Sequence, residues 1–462
     1  MAIDSKHPQY IDNESKWKLI DDIIEENNLT DYLIELNSHD TSNENKARNA
    51  MYKERAVFYA LAGQTASGMI GTVFSKNPLL VVPEGLSYIE GNIDGSGNSI
   101  HQQSRKAVLN TTTKSRAGLF TSFPETDGEI SKEDVTSGKF VASINLITPQ
   151  RIINWNTSTI GAKTFLSLVV FEDSKVELVD YEHKTVDILR ELYIDDGIYK
   201  ERHWIKAEEK WVVDEVGERI PKGHSGKPLT EIPFTFIGSE NNDYCVDKPI
   251  MHAMCSLNVS HYRNSADFED SVWFAGQAQP WMSAVDQDHI DLMKANHMYV
   301  GSRETLAVPE DGQFGFASAP PNPLVRQAML DKVDMMIGIG ARMITPGGVA
   351  KTAEQSSNER ETQHSMLSMV VENVNEAYES CLKWAAIYMG ATGEISYEIN
   401  TDFVKASATP AELKEVISGY IVGAIPAYDF TLYMKKYGIF DDEKSAADYA
   451  SEISLPSGVP EG

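Results

Sequence analysis

His252, Cys255 and His261 are the side chains of this sequence that most invite a test as a metal site. His252 and Cys255 lie three residues apart, so a helix would place them on one face. A structural zinc site needs four ligands, usually with paired spacings, and the fourth is missing here. Histidines packed within a helix account for the same residues. The carboxylate pairs Asp21-Asp22 and Asp441-Asp442 stand in charge-rich stretches, which read as solvated surface rather than acid–base machinery. Gly226-Lys227 is followed by Pro228 and lacks the spacing of a phosphate-binding loop. Gly338 and Gly340 lack the third glycine of a dinucleotide fingerprint, and no alternation of strands and helices surrounds them. No Gly-x-Ser-x-Gly elbow occurs. The survey yields no catalytic residue, metal or cofactor, and points to a structural or conduit protein rather than an enzyme.

The elements that would position any site are spread over 462 residues, enough for two to four domains. No run of about 18 apolar residues exists, so no membrane-spanning helix is expected. The polar stretch Met1–Tyr10 lacks the apolar core of a signal peptide. Three cysteines, Cys245, Cys255 and Cys381, argue against a disulfide framework and fit a reducing cytoplasm. Asp plus Glu number 68 against 41 Lys plus Arg, a net charge of −27. No basic stripe of the kind that neutralises phosphates is present. The acidity fits solubility alone, or acidic walls that let DNA pass without sticking.

Apolar spacing predicts helices over Lys16–Glu35, Ala47–Phe74 and Ser99–Thr111, with a polar break at Asn37–Asn45. From Val141 the period changes. Phe165–Phe171, Val186–Ile194, His203–Ile205 and Trp211–Val213 are rich in β-branched and aromatic residues, which predicts an antiparallel module ending near Ile237, with Phe234-Thr235-Phe236 as its last strand. A long helix is expected from Asp247 to Phe274. A proline-bracketed segment follows, with a helix near Gln287–Lys294 and a short strand or two. Asn322 can cap a helix that starts at Pro323 and stops at Thr345-Pro346-Gly347-Gly348. Thr352-Ala353-Glu354-Gln355 has a capping-box pattern that would open a helix to Met389. Its first half, Glu354–His364, is polar. From Met366, residues Val370, Val374, Ala377, Cys381 and Trp384 recur at helical spacing. A strand within Glu394–Phe403, a helix from Thr409-Pro410 and a Pro/Gly/Ser-rich tail from Leu455 complete the pattern.

Several segments, read in order, resemble the portal proteins of tailed bacteriophages. They are His7-Pro8-Gln9-Tyr10 with Trp17, Arg55–Ala60, Gly71–Pro78, Arg116-Ala117-Gly118, Ile152-Ile153-Asn154-Trp155 and Ile232-Pro233-Phe234. Asp247-Lys248-Pro249 continuing to Leu257–Asp267, Gly340-Ala341-Arg342-Met343 and Asn400–Phe403 follow. Together they span about residues 7 to 403. The resemblance implies an α+β, mainly helical portal fold. Its parts would be an N-terminal helical wing (1–140), a β-rich wing module (141–246), a first stem helix (247–278) and a clip (279–321). A second stem helix (322–344), a tunnel loop (345–352), a long helix with a return strand (353–403) and a helical crown and tail (404–462) would follow.

The resemblance further implies a ring, usually of twelve subunits, at one capsid vertex, assembled in the host cytoplasm and carried in the virion. Double-stranded DNA would pass through its channel during packaging and ejection. The large terminase subunit, adaptor and head-completion proteins, the major capsid protein and scaffolding protein would be its partners, with the packaging ATPase a separate chain. On this reading Thr345, Gly347, Gly348, Lys351, Glu354 and Glu359 face the channel. Asp286, Asp288, Arg303, Glu304, Glu310 and Asp311 form the clip's docking surface. Gly347 and Gly348 would give the loop backbone freedom; Lys351 would touch phosphates transiently, and Glu354, Glu359 and Glu361 would weaken sticking. The alternatives are another head-completion protein, or an enzyme with an unfamiliar site near His252–His261.

Overall fold

The computed structural model describes residues 2–124, 140–208, 210–276, 279–295, 311–317, 323–344, 365–401, 410–421, 424–436, 445 and 448–449. Helix α1 (Pro8–Ile24) starts eight residues before the expected Lys16, because His7 is its cap. His7 is extended, its Nδ1 accepts the Gln9 amide at 3.2 Å, and Pro8 takes the first helical position. The helix also ends short of Glu35. Asn28 is left-handed at φ +51°, and a single 3-10 turn, Leu29–Tyr32, follows.

The expected helix Ala47–Phe74 is two helices, α2 (Asn43–Arg55) and α3 (Leu61–Val73). The chain turns extended at Ala56, and the backbone groups freed there are satisfied from the long helix that follows the sheets. The Val57 amide donates to Ser265 Oγ at 3.1 Å, and the Ala62 amide to Asn258 Oδ1 at 3.0 Å. Asn258 Nδ2 donates back to the Tyr59 carbonyl at 3.0 Å. Buried backbone groups must find partners. Here those partners come from about 200 residues away, so local spacing could not reveal the break.

Strand β1 (Leu79–Val81) precedes α4 (Ile100–Lys114), which opens with a reciprocal Ser99/Gln102 capping box. The chain then enters β2 (Arg116–Ser122), a strand the sequence reading did not place. Strands β3 (Ser143–Ile147), β4 (Ile152–Ile160), β5 (Lys163–Val179), β6 (Glu182–Asp195), β7 (Ile198–Ala207), β8 (Lys210–Arg219) and β9 (Phe234–Gly238) follow. They make two antiparallel sheets, a three-stranded β3-β2-β9 and a five-stranded meander β4-β5-β6-β7-β8. Phe234-Thr235-Phe236 is therefore a strand, as expected, yet it pairs with β2 and not with the meander.

Within the meander, β4 pairs with β5 only up to Phe171, and β7 joins β6 only from Ile188. Ser174–Val179 and Glu182–Asp187 continue beyond them as a two-stranded arm.

Helix α5 (His252–Gly276) leads into β10 (Gln279–Met282), α6 (Gln287–Ala295) and β11 (Phe314–Ala317), and α7 (Pro323–Ile344) returns beside α5. The expected bounds of these elements agree with the structure to within a few residues. Helix α8 (Met366–Met389) does not begin at Thr352. Ser365 is extended (φ −69°, ψ 156°), and its hydroxyl accepts the Ser368 amide at 3.1 Å, so the helix starts there and no single helix runs from 352 to 389. Strand β12 (Ser396–Glu398) pairs with β1, and α9 (Pro410–Ile421) and α10 (Ala427–Lys436) pack on each other through Tyr420, Phe430 and Met434.

The architecture is mixed α+β, with ten α-helices and four antiparallel sheets among the described residues. Its main core joins α1, α3, α4, α5, α7 and α8 through Ile20, Met69, Val108, Met254, Met336 and Val374. A second core lies under the meander, around Trp17, Trp155, Phe171, Phe234 and Phe236. Among the described residues no helix is long and apolar enough to cross a membrane.

Candidate functional site

Helices α5 and α7 run antiparallel. Lys332 Nζ donates to the Ser260 carbonyl at 3.2 Å, and Gly340 lies against Met254. At the inner end Met336, Gly340 and Met343 are buried. A Cβ on Gly340 would come within 3.0 Å of Thr65 Cγ2, so the absent side chain lets α7 approach α3 closely. His261, 5% exposed, packs beside Tyr59 with ring centroids 5.9 Å apart. Burial, then the charge of Lys332, lowers its pKa. Burial pushes the Cys255 thiol up to about 12, so it stays protonated and is a poor ligand. Among the described residues no group of three or more His, Cys, Asp or Glu is placed to hold a metal.

The outer end is different. Leu324 and Leu330 of α7 are 75% and 51% exposed there, Val272, Trp273 and Phe274 of α5 are exposed too, and nearer the inner end Met335 and Ile337, either side of buried Met336, are 56% and 55% exposed. Helix α5 packs along α7, and these apolar side chains remain largely exposed. Exposed apolar side chains clustered along one element mark a candidate interaction surface.

Beyond the helix pair, β10 and β11 form a hairpin in which Trp281 sits opposite Gly315, whose missing side chain leaves room for the indole. Phe314 and Phe316 stack edge to face at 5.2 Å. Of the expected docking residues, Asp286 and Asp288 are exposed at the start of α6, and Asp311 is exposed just before β11. Ser283 and Gln313 tie the two chains together there, so the three carboxylates share the hairpin end remote from α5 and α7. Arg303, Glu304 and Glu310 lie outside the described residues, as do Thr345, Gly347, Gly348, Lys351, Glu354, Glu359 and Glu361.

The sequence reading missed a buried joint around Arg116. This side chain is 1% exposed and lies 3.7 Å over the Phe236 ring. It donates to the carbonyls of Asp243, Tyr244 and Cys245 at 2.8–3.3 Å. Burial lowers its pKa to about 9, and Asp243 and Asp247 oppose that shift. His7 stacks on Trp155 at 3.9 Å. Ser115 Oγ donates to the Lys248 carbonyl, and Asp247 accepts from Ser239 Oγ and the Glu240 amide. Four segments that carry the portal resemblance therefore meet at one place, where α1, the sheets and the lead into α5 join. A second joint lines α5, where Tyr52 donates to Asp267 at 2.7 Å and Arg263 to the Tyr32 carbonyl at 2.7 Å. The jobs of these residues are structural. The clue in the sequence was Arg116 itself, a charge opening an otherwise apolar run.

No curated protein matches the chain. Over residues 250–389, 140 of the 462, the chain is similar to a family described as a domain of unknown function, DUF4055, and that stretch spans α5, the β10–α6–β11 tip, α7 and α8.

Proposed function

We propose that this chain is a portal protein of a tailed bacteriophage. Copies close into a ring, of about twelve by the resemblance, at one capsid vertex, and double-stranded DNA passes through the channel. The observation that carries the reading is the antiparallel pair α5–α7, along which Leu324, Leu330, Met335 and Ile337 stay uncovered. A heterologous contact between copies, repeated by rotation until it closes, would cover them.

In this reading α5 and α7 are the stem, and β10–α6–β11 is the clip. Exposed Asp286, Asp288 and Asp311 meet terminase and then adaptor proteins there. The core around Arg116 belongs to the wing, which faces capsid and scaffolding proteins. By the resemblance, residues 345–364, which lie outside the described residues, would border the channel, and the net charge of −27 would keep DNA from adhering. The protein has no catalysis of its own, and its place is the virion. Negative-stain microscopy of the purified protein tests the reading. Annular particles with an axial hole wide enough for a duplex are expected, and a compact monomer at every concentration would refute it.

A further inference from the structure

The β5–β6 arm is oddly built for a free-standing ribbon. Among the described residues no third strand flanks Ser174–Val179 or Glu182–Asp187, and an isolated two-stranded hairpin is marginal in water. Val176 and Leu178 are exposed, and Tyr181 at the tip is 96% exposed. The two turn residues, Asp180 and Tyr181, both have positive φ, +51° and +67°. Such a turn favours Asn-Gly, and a bulky aromatic in that conformation is an outlier. Tyrosine is also a preferred anchor at protein interfaces. The carboxylates of Asp180 and Glu182 beside it argue against a phosphate-rich partner.

At the root of the same arm lies a cleft of about 610 Å³, space for about 20 waters. Phe120 and Phe171 give it apolar wall. Lys114 is paired with Asp21 at 2.7 Å, and Arg151 and Arg190 with Asp173 at 3.0 and 2.8 Å. Lys106, exposed on the lining, has no ion pair among the described residues. Glu25 and Asp94 share the lining, so an acidic tip gains only on the Lys106 side. From Asp173 at the cleft to Asp180 at the tip, seven strand residues reach about 23 Å. A chain therefore presents tip and cleft well apart, as a head-to-tail contact requires.

We propose that the arm tip of one copy, with Tyr181 leading, seats in the cleft of the next copy, its carboxylates against Lys106. The partner is a second copy of this chain, so the inference rests on the ring reading and adds a clasp to it. A standard interface engages 20–30 residues a side, so the arm supplies about half of one and supplements the helix contact.

The test uses the full chain with Cys245→Ser, carrying either Tyr181→Cys or Asn110→Cys, Asn110 being on the cleft lining. The two variants are mixed and oxidised. Disulfide-linked dimers in the mixture, and not in either variant alone, are expected. In parallel, Asp180→Asn with Tyr181→Gly should leave or raise the melting temperature while raising at least tenfold the concentration at which assemblies half-dissociate. Lys106→Glu should weaken assembly similarly, and adding Glu182→Lys should restore it. Annular particles with no cross-link and unchanged assembly would overturn the clasp and leave the ring standing. Cross-linked open chains would keep the clasp and sink the ring, and monomers without cross-links would sink both.

Discussion

Replacing Leu330 and Ile337 by glutamine tests the ring reading. The two lie seven residues apart on one side of α7, about half exposed, and glutamine preserves helix propensity. Fully burying an aliphatic side chain contributes about 1.5–3 kcal/mol. The half still in water therefore holds about 0.8–1.5 kcal/mol for each residue, or about 1.5–3 kcal/mol for the pair. Since about 1.4 kcal/mol is tenfold in an equilibrium constant, each subunit contact should weaken roughly 10- to 150-fold. The half of each side chain already buried in the chain can cost folding a similar amount, up to about 1.5–3 kcal/mol, so assembly is read well below the melting temperature. Mass photometry across a dilution series reads assembly, and thermal melting reads the chain. The reasoning fails if assembly is unchanged while the chain remains folded.

Asn258→Ala should cost about 1–3 kcal/mol, because it removes two hydrogen bonds across the α2–α3 break and strands the buried Ala62 amide. Urea unfolding checks it, and a cost under about 0.5 kcal/mol would mean that the break satisfies itself. Gly118→Ala should cost about 1–3 kcal/mol, because a Cβ there would meet Ile152 Cδ1 and Phe234 Cε1 at 2.9 Å. An unchanged denaturation midpoint would refute the close packing of β2 beneath the meander. Burial lowers the pKa of His7, His101, His252 and His261. The unfolded chain then binds more protons below about pH 6.5, so stability is full above that value and declines as pH falls towards the folded pKa values. Urea midpoints at pH 7.5 and pH 5.5 should differ in that sense, and His261→Gln should shrink the difference. Equal midpoints would refute it.

Elements with local signals were legible in the sequence. Four of the meander's strands, β5 to β8, together with α5, α7 and α4, each carry their own periodicity, capping or proline punctuation, whereas β4 was not placed. The missed features depend on distant partners. The α2–α3 break is held by Asn258 and Ser265, and β2 opens with a buried Arg116 whose acceptors lie in the loop 243–245. Thr352-Ala353-Glu354-Gln355 and Ser365 both read as helix starts. The helix to Met389 opens at Ser365, which is buried with Ser368, and Ser368 Oγ donates to the Thr401 carbonyl. The arm outran the apolar runs Phe165–Phe171 and Val186–Ile194 because strand pairing continues where the core does not. Of the candidate site, Asp286, Asp288 and Asp311 were named from the resemblance, and the structure describes them as exposed.

The resemblance and the exposed surfaces bear on different questions. His7, Arg116, Trp155 and Asp247 meet in a buried joint, where they fix how α1, the sheets and α5 are mounted on one another. A residue that stacks or donates inside such a joint reports architecture and says little about chemistry. Function must then be argued from what the mounting leaves uncovered. Two features project from the joint's surroundings, the helix pair with its acidic tip and the β arm with its tyrosine, and each carries apolar surface that a single chain does not bury. An enzyme reading assigns these projections no work. A head-to-tail assembly uses both, one for the main contact and one for the clasp, and it requires each to fail separately when mutated. That separability gives the ring reading its content, because an aggregation-prone monomer would lose its self-association by degrees with every apolar side chain removed.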